Sequence, residues 1–217
     1  MAEEKKDILD NLKKAVFEYD RQLAARSAVE AVEKGIDPIE AMNVMTAAIR
    51  EIGLAFGKGE LWLPELVGAS DAMQGATPIL EEEMKRKGRH RESLGMVVAG
   101  TVFGDIHSIG KTMVTTLLTA AGFRIEDLGI NVKAEEFSTA VKKHDADLLV
   151  MSALMTTTMT EQEKVIEALK KEGTREKVKV MVGGAAVTDE FAESIGADGY
   201  DPTAPGAAEL ARRLLAV

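Results

Sequence analysis

The segment Gly104-Asp105-Ile106-His107-Ser108-Ile109-Gly110 concentrates the residues best suited to bind a charged or metallic ligand. Three chemistries compete for it. Gly110-Lys111-Thr112, with Gly104 upstream, would suit a phosphate-binding loop of the G-x-x-x-x-G-K-[ST] form. Five residues separate the two glycines instead of four, however. Asp105 also sets a carboxylate where backbone N–H groups should receive phosphate. No aspartate ends Leu148-Leu149-Val150-Met151 to hold magnesium. A phosphoacceptor aspartate needs acidic neighbours for its magnesium, and Asp105 is alone in the loop. The third chemistry pairs Asp105 with His107. One ring nitrogen binds a metal while the other donates to the carboxylate, which fixes the tautomer and raises ligand basicity. One histidine holds a labile metal ion poorly, but it serves as an axial ligand to a metal whose other positions a macrocycle fills.

Composition narrows the field. The chain has 217 residues, no cysteine and a net charge of -9. The missing thiols exclude an iron–sulfur cluster or thiolate zinc site held by this chain, leaving His90, His107 and His144 as the strongest transition-metal donors. An acidic chain is a poor partner for nucleic acid or anionic lipid. Its apolar runs fall far short of the roughly 20 residues of a membrane helix. The charged start, Met1-Ala2-Glu3-Glu4-Lys5-Lys6-Asp7, lacks the apolar stretch of a secretory signal, so a cytoplasmic location is expected.

Two rhythms divide the elements that must position the loop. From Asp7 to about Lys87 the apolar spacing is helical: Ile8, Leu12, Ala15 and Val16, then Ala28, Val29 and Val32. Gly35-Ile36-Asp37-Pro38 closes one helix and opens another, which reaches about Phe56. Gly57-Lys58-Gly59-Glu60 breaks the chain, and Pro64 can open a helix to Arg86. Residues 1–88 are thus expected to form a four-helix bundle. Residues 89–93 form the expected linker, within a charged stretch that lacks apolar periodicity. Residues 94–217 then alternate strands with helices. Strands fit at 94–102, 123–128, 146–151, 178–182 and 199–200, and helices near 109–121, 135–143, 160–171, 189–195 and 205–215. That alternation predicts a doubly wound, five-stranded parallel α/β domain of Rossmann-like type. Its ligand should sit at the carboxyl ends of the strands, where the Gly104–Gly110 loop lies.

Asp105-Ile106-His107-Ser108-Ile109-Gly110 resembles the D-x-H-x-x-G motif of the B12-binding domain shared by methionine synthase, some mutases and corrinoid methyl carriers. Ser152-Ala153-Leu154 is similar to the family's S-x-L and Gly183-Gly184 to its G-G, each at the end of an expected strand. Gly59-Glu60-Leu61-Trp62-Leu63-Pro64-Glu65 resembles a segment of the helical cap that precedes this domain in methionine synthase and in methyltransferase corrinoid proteins. The resemblance covers nearly the whole chain. A cap and a B12 domain standing alone are the arrangement of the corrinoid proteins for methylamines, methanol and methoxylated aromatics.

The resemblance implies a cobalt corrinoid, cobalamin or a relative, with His107 as its lower axial ligand and Asp105 and Thr158 completing a hydrogen-bonded relay. Protonation of that relay would favour nucleophilic Co(I), and a ligated histidine would favour methyl-Co(III). Gly104, Ser108, Ile109 and Gly110 would complete the loop against the cofactor, and Ser152, Leu154, Thr156, Gly183 and Gly184 would line a slot for its nucleotide tail. Trp62 would shield the upper corrin face; an ordinary place in the bundle core or at a domain interface is equally compatible with it. The cap would swing away, hinged at Lys87 to Glu92, when a partner docks. Implied partners are a substrate-specific methyltransferase, a second methyltransferase with a tetrahydrofolate or thiol acceptor, and a reductive activase. A corrinoid-binding sensor or storage protein is the competing function.

Overall fold

The computed structural model describes residues 2–89 and 93–217, and the chain separates into two units, Met1–Glu92 and Ser93–Val217. In the first unit α1 (Ala2–Phe17) buries the expected stripe of Ile8, Leu12, Ala15 and Val16. The break to α2 (Arg21–Glu33) comes at Tyr19, whose φ is 60°, and at Asp20, whose carboxylate accepts the Leu23 N–H at 2.8 Å. Its buried stripe is Ala24, Ser27, Ala28 and Ala31, not the valines; Val29, expected to face the core, is 43% exposed. Small residues serve here because α4 (Leu63–Arg86) comes very close: a Cβ on Gly75 would stand 2.6 Å from the Arg21 carbonyl oxygen. α3 (Pro38–Gly57) opens as expected, with Asp37 capping Ile39 N–H and Pro38 in the first turn.

α4 begins one residue before Pro64, with the Trp62 N–H given to the Glu65 carboxylate at 3.1 Å. At its other end Gly88 takes a φ of +62° and Arg89 N–H returns to the Met84 carbonyl at 2.8 Å. Lys85 to Arg89 therefore close the helix, although charge alone suggests a linker there. Of the expected linker and hinge, residues 90–92 lie outside the described residues.

The second unit alternates β1 (Met96–Thr101), α5 (Ile109–Ala121), β2 (Arg124–Asp127), α6 (Ala134–His144), β3 (Leu148–Ser152), α7 (Thr156–Lys171), β4 (Lys179–Gly183), α8 (Asp189–Ile195), β5 (Gly199–Tyr200) and α9 (Ala204–Leu215). The sheet is parallel, in the order β2-β1-β3-β4-β5. Side chains alternate between its faces. Val97, Ala99, Leu148, Val150 and Met181 pack with Leu118 of α5 and Ala207 and Ala211 of α9. Val98, Leu149, Met151, Val180 and Val182 pack with residues of α6, α7 and α8, among them Phe137, Ile166 and Ile195. The fold is thus doubly wound, with the strand order reversing between β1 and β3, where a ligand crevice is expected.

α7 starts four residues earlier than its apolar spacing suggests. Its first turn holds Thr156, Thr157 and Thr158, β-branched residues of modest helix propensity that mask the start. Among the described residues, no helix is long and apolar enough to cross a membrane.

Candidate functional site

The region at the carboxyl ends of β1 and β3 is organised around Asp105. Gly104 turns the chain with a φ of +78°, a conformation that favours glycine, and gives its N–H to the Asn131 side-chain oxygen at 2.8 Å. Asn131 in turn donates its N–H to the Asp105 carbonyl at 3.0 Å. The Asp105 side chain is fully buried, and both carboxylate oxygens are occupied. Oδ1 accepts the His107 N–H at 2.9 Å and lies 2.8 Å from His107 Nδ1. Oδ2 accepts the Leu154 N–H at 2.8 Å and the Thr158 hydroxyl at 2.7 Å.

Burial alone would push this carboxyl up. The Thr158 hydroxyl, the backbone N–H groups of His107 and Leu154 and the His107 ring outweigh it and hold Asp105 well below the ordinary carboxylate range. An ionised carboxylate accepts a hydrogen bond from Nδ1–H, and in that tautomer the ring's free lone pair is on Nε2. That nitrogen has no hydrogen-bond partner among the described residues, and the side chain is 45% exposed. β1 supplies the loop, β3 the Leu154 amide and α7 the Thr158 hydroxyl, so three elements converge to orient one ring.

The remaining sequence-predicted residues fall into distinct groups. Ser108 stands at the N-cap of α5 without a side-chain cap bond, followed by Ile109 and Gly110. Ile106, Ile109 and Leu154 are exposed apolar side chains beside the histidine loop. Thr156 opens α7 and is exposed. Ser152 ends β3 and shares a hydrogen bond with Thr101 at 2.8 Å. Gly183 and Gly184 differ. A Cβ on Gly184 would stand 1.8 Å from the Ala153 carbonyl, and its φ is +127°, so the fold itself requires that glycine. A Cβ on Gly183 or Gly110 would meet nothing within 4 Å and face no positive φ, so internal packing demands neither glycine. Trp62 belongs to the first unit and is 74% exposed, which overturns a place in the bundle core.

The phosphate chemistries find no support in this geometry. Lys111 is buried and paired with Asp127, so it does not reach toward a phosphate in the loop. Buried Asp105 is spent on hydrogen bonds rather than offered as a phosphoacceptor.

Three organising residues escape sequence reasoning. Asn131 anchors the loop from the β2–α6 connection, and nothing local marks it. Thr101 extends the Val97, Ala99 alternation of β1 and could have been found by that parity. Gln162 lies one turn beyond Thr158 on α7 and is fully buried; its Nε2 donates to the Met151 and Gly183 carbonyls, each at 3.2 Å. Its Oε1 is buried without a partner among the described residues.

The donor set fits a corrinoid. One oriented imidazole offers one metal bond, and no group of three or more His, Cys, Asp or Glu among the described residues could hold an ion. The metal must therefore bring its other ligands, as a macrocycle does, and the exposed apolar loop residues suit an apolar ring. Comparison with known proteins agrees. B12-binding domain models match residues 95–209 and residues 8–81. The trimethylamine corrinoid protein of Methanosarcina barkeri is 43% identical, over 92% of this chain and 93% of its own. Trimethylamine corrinoid protein 2 of Methanosarcina mazei is 41% identical over 98% of each. Among solved structures, the methanol:cobalamin methyltransferase complex MtaBC from Methanosarcina barkeri matches with a TM-score of 0.81 and 31% identity, over 97% of this chain and 80% of that one. The monomethylamine corrinoid protein of the same organism matches with a TM-score of 0.55 and 33% identity, over 96% and 99%. This chain belongs to the family of B12-binding corrinoid proteins of methyltransferase systems.

Proposed function

We propose that the chain is the methyl-carrying subunit of a methylamine methyltransferase system, with no turnover of its own. The observation that carries this reading is the presentation of His107: Nδ1 is fixed on buried Asp105 and Nε2 is left free at the carboxyl edge of the sheet. When bound, a corrinoid supplies a cobalt centre that takes up a methyl group in its reduced form and gives it up to an acceptor.

The chain's own residues hold and tune that centre. His107 Nε2 would be the donor that holds the cobalt. Asp105 keeps the proton on Nδ1, and Thr158 and the Leu154 amide keep Asp105 ionised and fixed. Gly104 and Ser108 would hold the loop, exposed Ile106 and Ile109 would meet the apolar ring, and Gly110 would leave room beside it. Ser152, Leu154, Thr156, Gly183 and Gly184 would line the slot for the nucleotide tail, and Trp62 would shield the bound cofactor. Substrate choice rests with the partner enzyme; the names of the relatives favour methylamines over methanol or methoxylated aromatics. The other partners are a second methyltransferase with a tetrahydrofolate or thiol acceptor and a reductive activase.

Reconstitution with hydroxocobalamin, reduction, and assay with a methylamine methyltransferase test this directly. Stoichiometric methylation that is lost when the corrinoid is omitted supports the role. Failure to retain corrinoid on gel filtration would remove it.

A further inference from the structure

Thr101 ends β1, is fully buried, and shares a sheet face with Val97 and Ala99. Its Oγ1 has two neighbours: the Ser152 hydroxyl at 2.8 Å, on its registered partner in β3, and the His107 carbonyl oxygen at 3.3 Å. A threonine hydroxyl has one proton to give. Two arrangements of the pair therefore exist. In the first, Ser152 donates to Thr101, and Thr101 donates to the His107 carbonyl. In the second, Thr101 donates to Ser152, Ser152 donates to an acceptor outside the pair, and the His107 carbonyl is released. Each arrangement places both hydroxyl protons, so the choice depends on whether Ser152 has an external acceptor.

Ser152 is half-buried and makes no other side-chain hydrogen bond among the described residues. Its registered partner on β4 is Gly183, beside which a Cβ would meet nothing within 4 Å. Thr101, Ser152 and Gly183 thus form a row of shrinking side chains on one face of the sheet, ending in open space. Resting on the corrinoid reading above, the occupant of that space is the nucleotide tail. A benzimidazole base displaced from cobalt by a histidine carries a ring nitrogen whose lone pair has become free to accept.

We infer that Thr101 is a positioning residue that reports the chemistry of the cofactor's lower base to the His107 loop. A base with a ring nitrogen draws the Ser152 proton, turns Thr101 toward Ser152 and frees the His107 carbonyl. A base without one leaves Thr101 bonded to that carbonyl. The same protein thereby holds His107 differently for corrinoids that differ only in a ring 
remote from the reacting face.

The test compares cobalamin with a cobamide whose lower base is a phenolic ring lacking nitrogen, each loaded onto the full chain and reduced to Co(II). Electron paramagnetic resonance reads the cobalt hyperfine coupling and the splitting from the axial nitrogen. Wild type and Thr101→Ser should each give different cobalt couplings for the two cofactors, and Thr101→Val should lose that difference. Ser152→Ala, which removes the donor, should lose it too and decides the matter if Thr101→Val does not fold. No difference in wild type, or the same difference in Ser152→Ala, overturns the inference. Axial nitrogen splitting in every sample shows that histidine ligation stands regardless; its absence from wild type means that the corrinoid site itself was misassigned.

Discussion

On the side of α6, α7 and α8, the carboxyl edge of the sheet is sealed. Met151 and Val182 are buried there, and Gln162 spans the Met151 and Gly183 carbonyls. On the side of α5 and α9, the same edge carries Thr101, Ser152 and Gly183, and space opens beside the glycine. A sheet that needed only stability would fill both faces alike, because each buried methylene contributes about 0.8 kcal/mol. The asymmetry is what the proposed function expects: packing is given up on the face where the nucleotide tail would lie, while the other face is closed by Met151, Val182 and Gln162.

Mutations on the two faces should therefore differ in kind. The largest loss of stability is expected on the sealed face. Phe137 is fully buried and packs against Gly100, where a Cβ would stand 2.6 Å from its ring. Phe137→Ala should cost about 3–5 kcal/mol in urea unfolding of the second unit, by analogy with other large core truncations. Gly183→Leu on the open face should do the reverse. Corrinoid affinity measured by titration should fall about a hundredfold, near 2.7 kcal/mol, with the unfolding midpoint little changed. If its stability fell as far as that of Phe137→Ala, the open space would be ordinary core.

Gln162→Leu should show a smaller effect, about 1–2 kcal/mol of stability. Two hydrogen bonds are lost, but the unpartnered Oε1 goes with them. Thermal unfolding checks it, and a loss as large as that of Phe137→Ala would show that the clamp matters more than the packing.

The smallest effect belongs to the first unit and serves as a control. Hydrogen bonding to Arg86, against the opposing push of burial and with help from Lys87, lowers the Glu83 carboxyl from its ordinary 4.5 to about 2. A depressed carboxyl favours the folded state above its unfolded value, and that contribution fades as pH falls from about 4.5 toward 2. The stability difference between wild type and Glu83→Gln should be level above pH 5 and shrink through that window. A difference that grew on acidification would contradict a lowered Glu83 carboxyl in the folded state.

Much of this was legible in the sequence because it rests on local rules. Strand and helix order follows from periodicity, and the Asp105-His107 pair from ligand chemistry at a strand end. The misplaced elements share another cause. The α2 stripe is set by how closely α4 approaches, so alanines won over Val29. The α7 start is hidden by threonines, of which Thr158 serves Asp105 rather than the helix. Asn131 and Gln162 act across connections distant in sequence, and no local pattern marks them. The distinction between Gly183, which packing leaves free, and Gly184, which packing requires, exists only once β3 and β4 are side by side.

The central claim is that His107 Nε2 is the metal donor. Electron paramagnetic resonance of the Co(II) form, prepared with natural and with 15N-labelled histidine, tests it most directly. A nitrogen-split triplet that becomes a doublet on labelling and disappears in His107→Ala is the predicted result. A splitting pattern unchanged by labelling and by His107→Ala would contradict it.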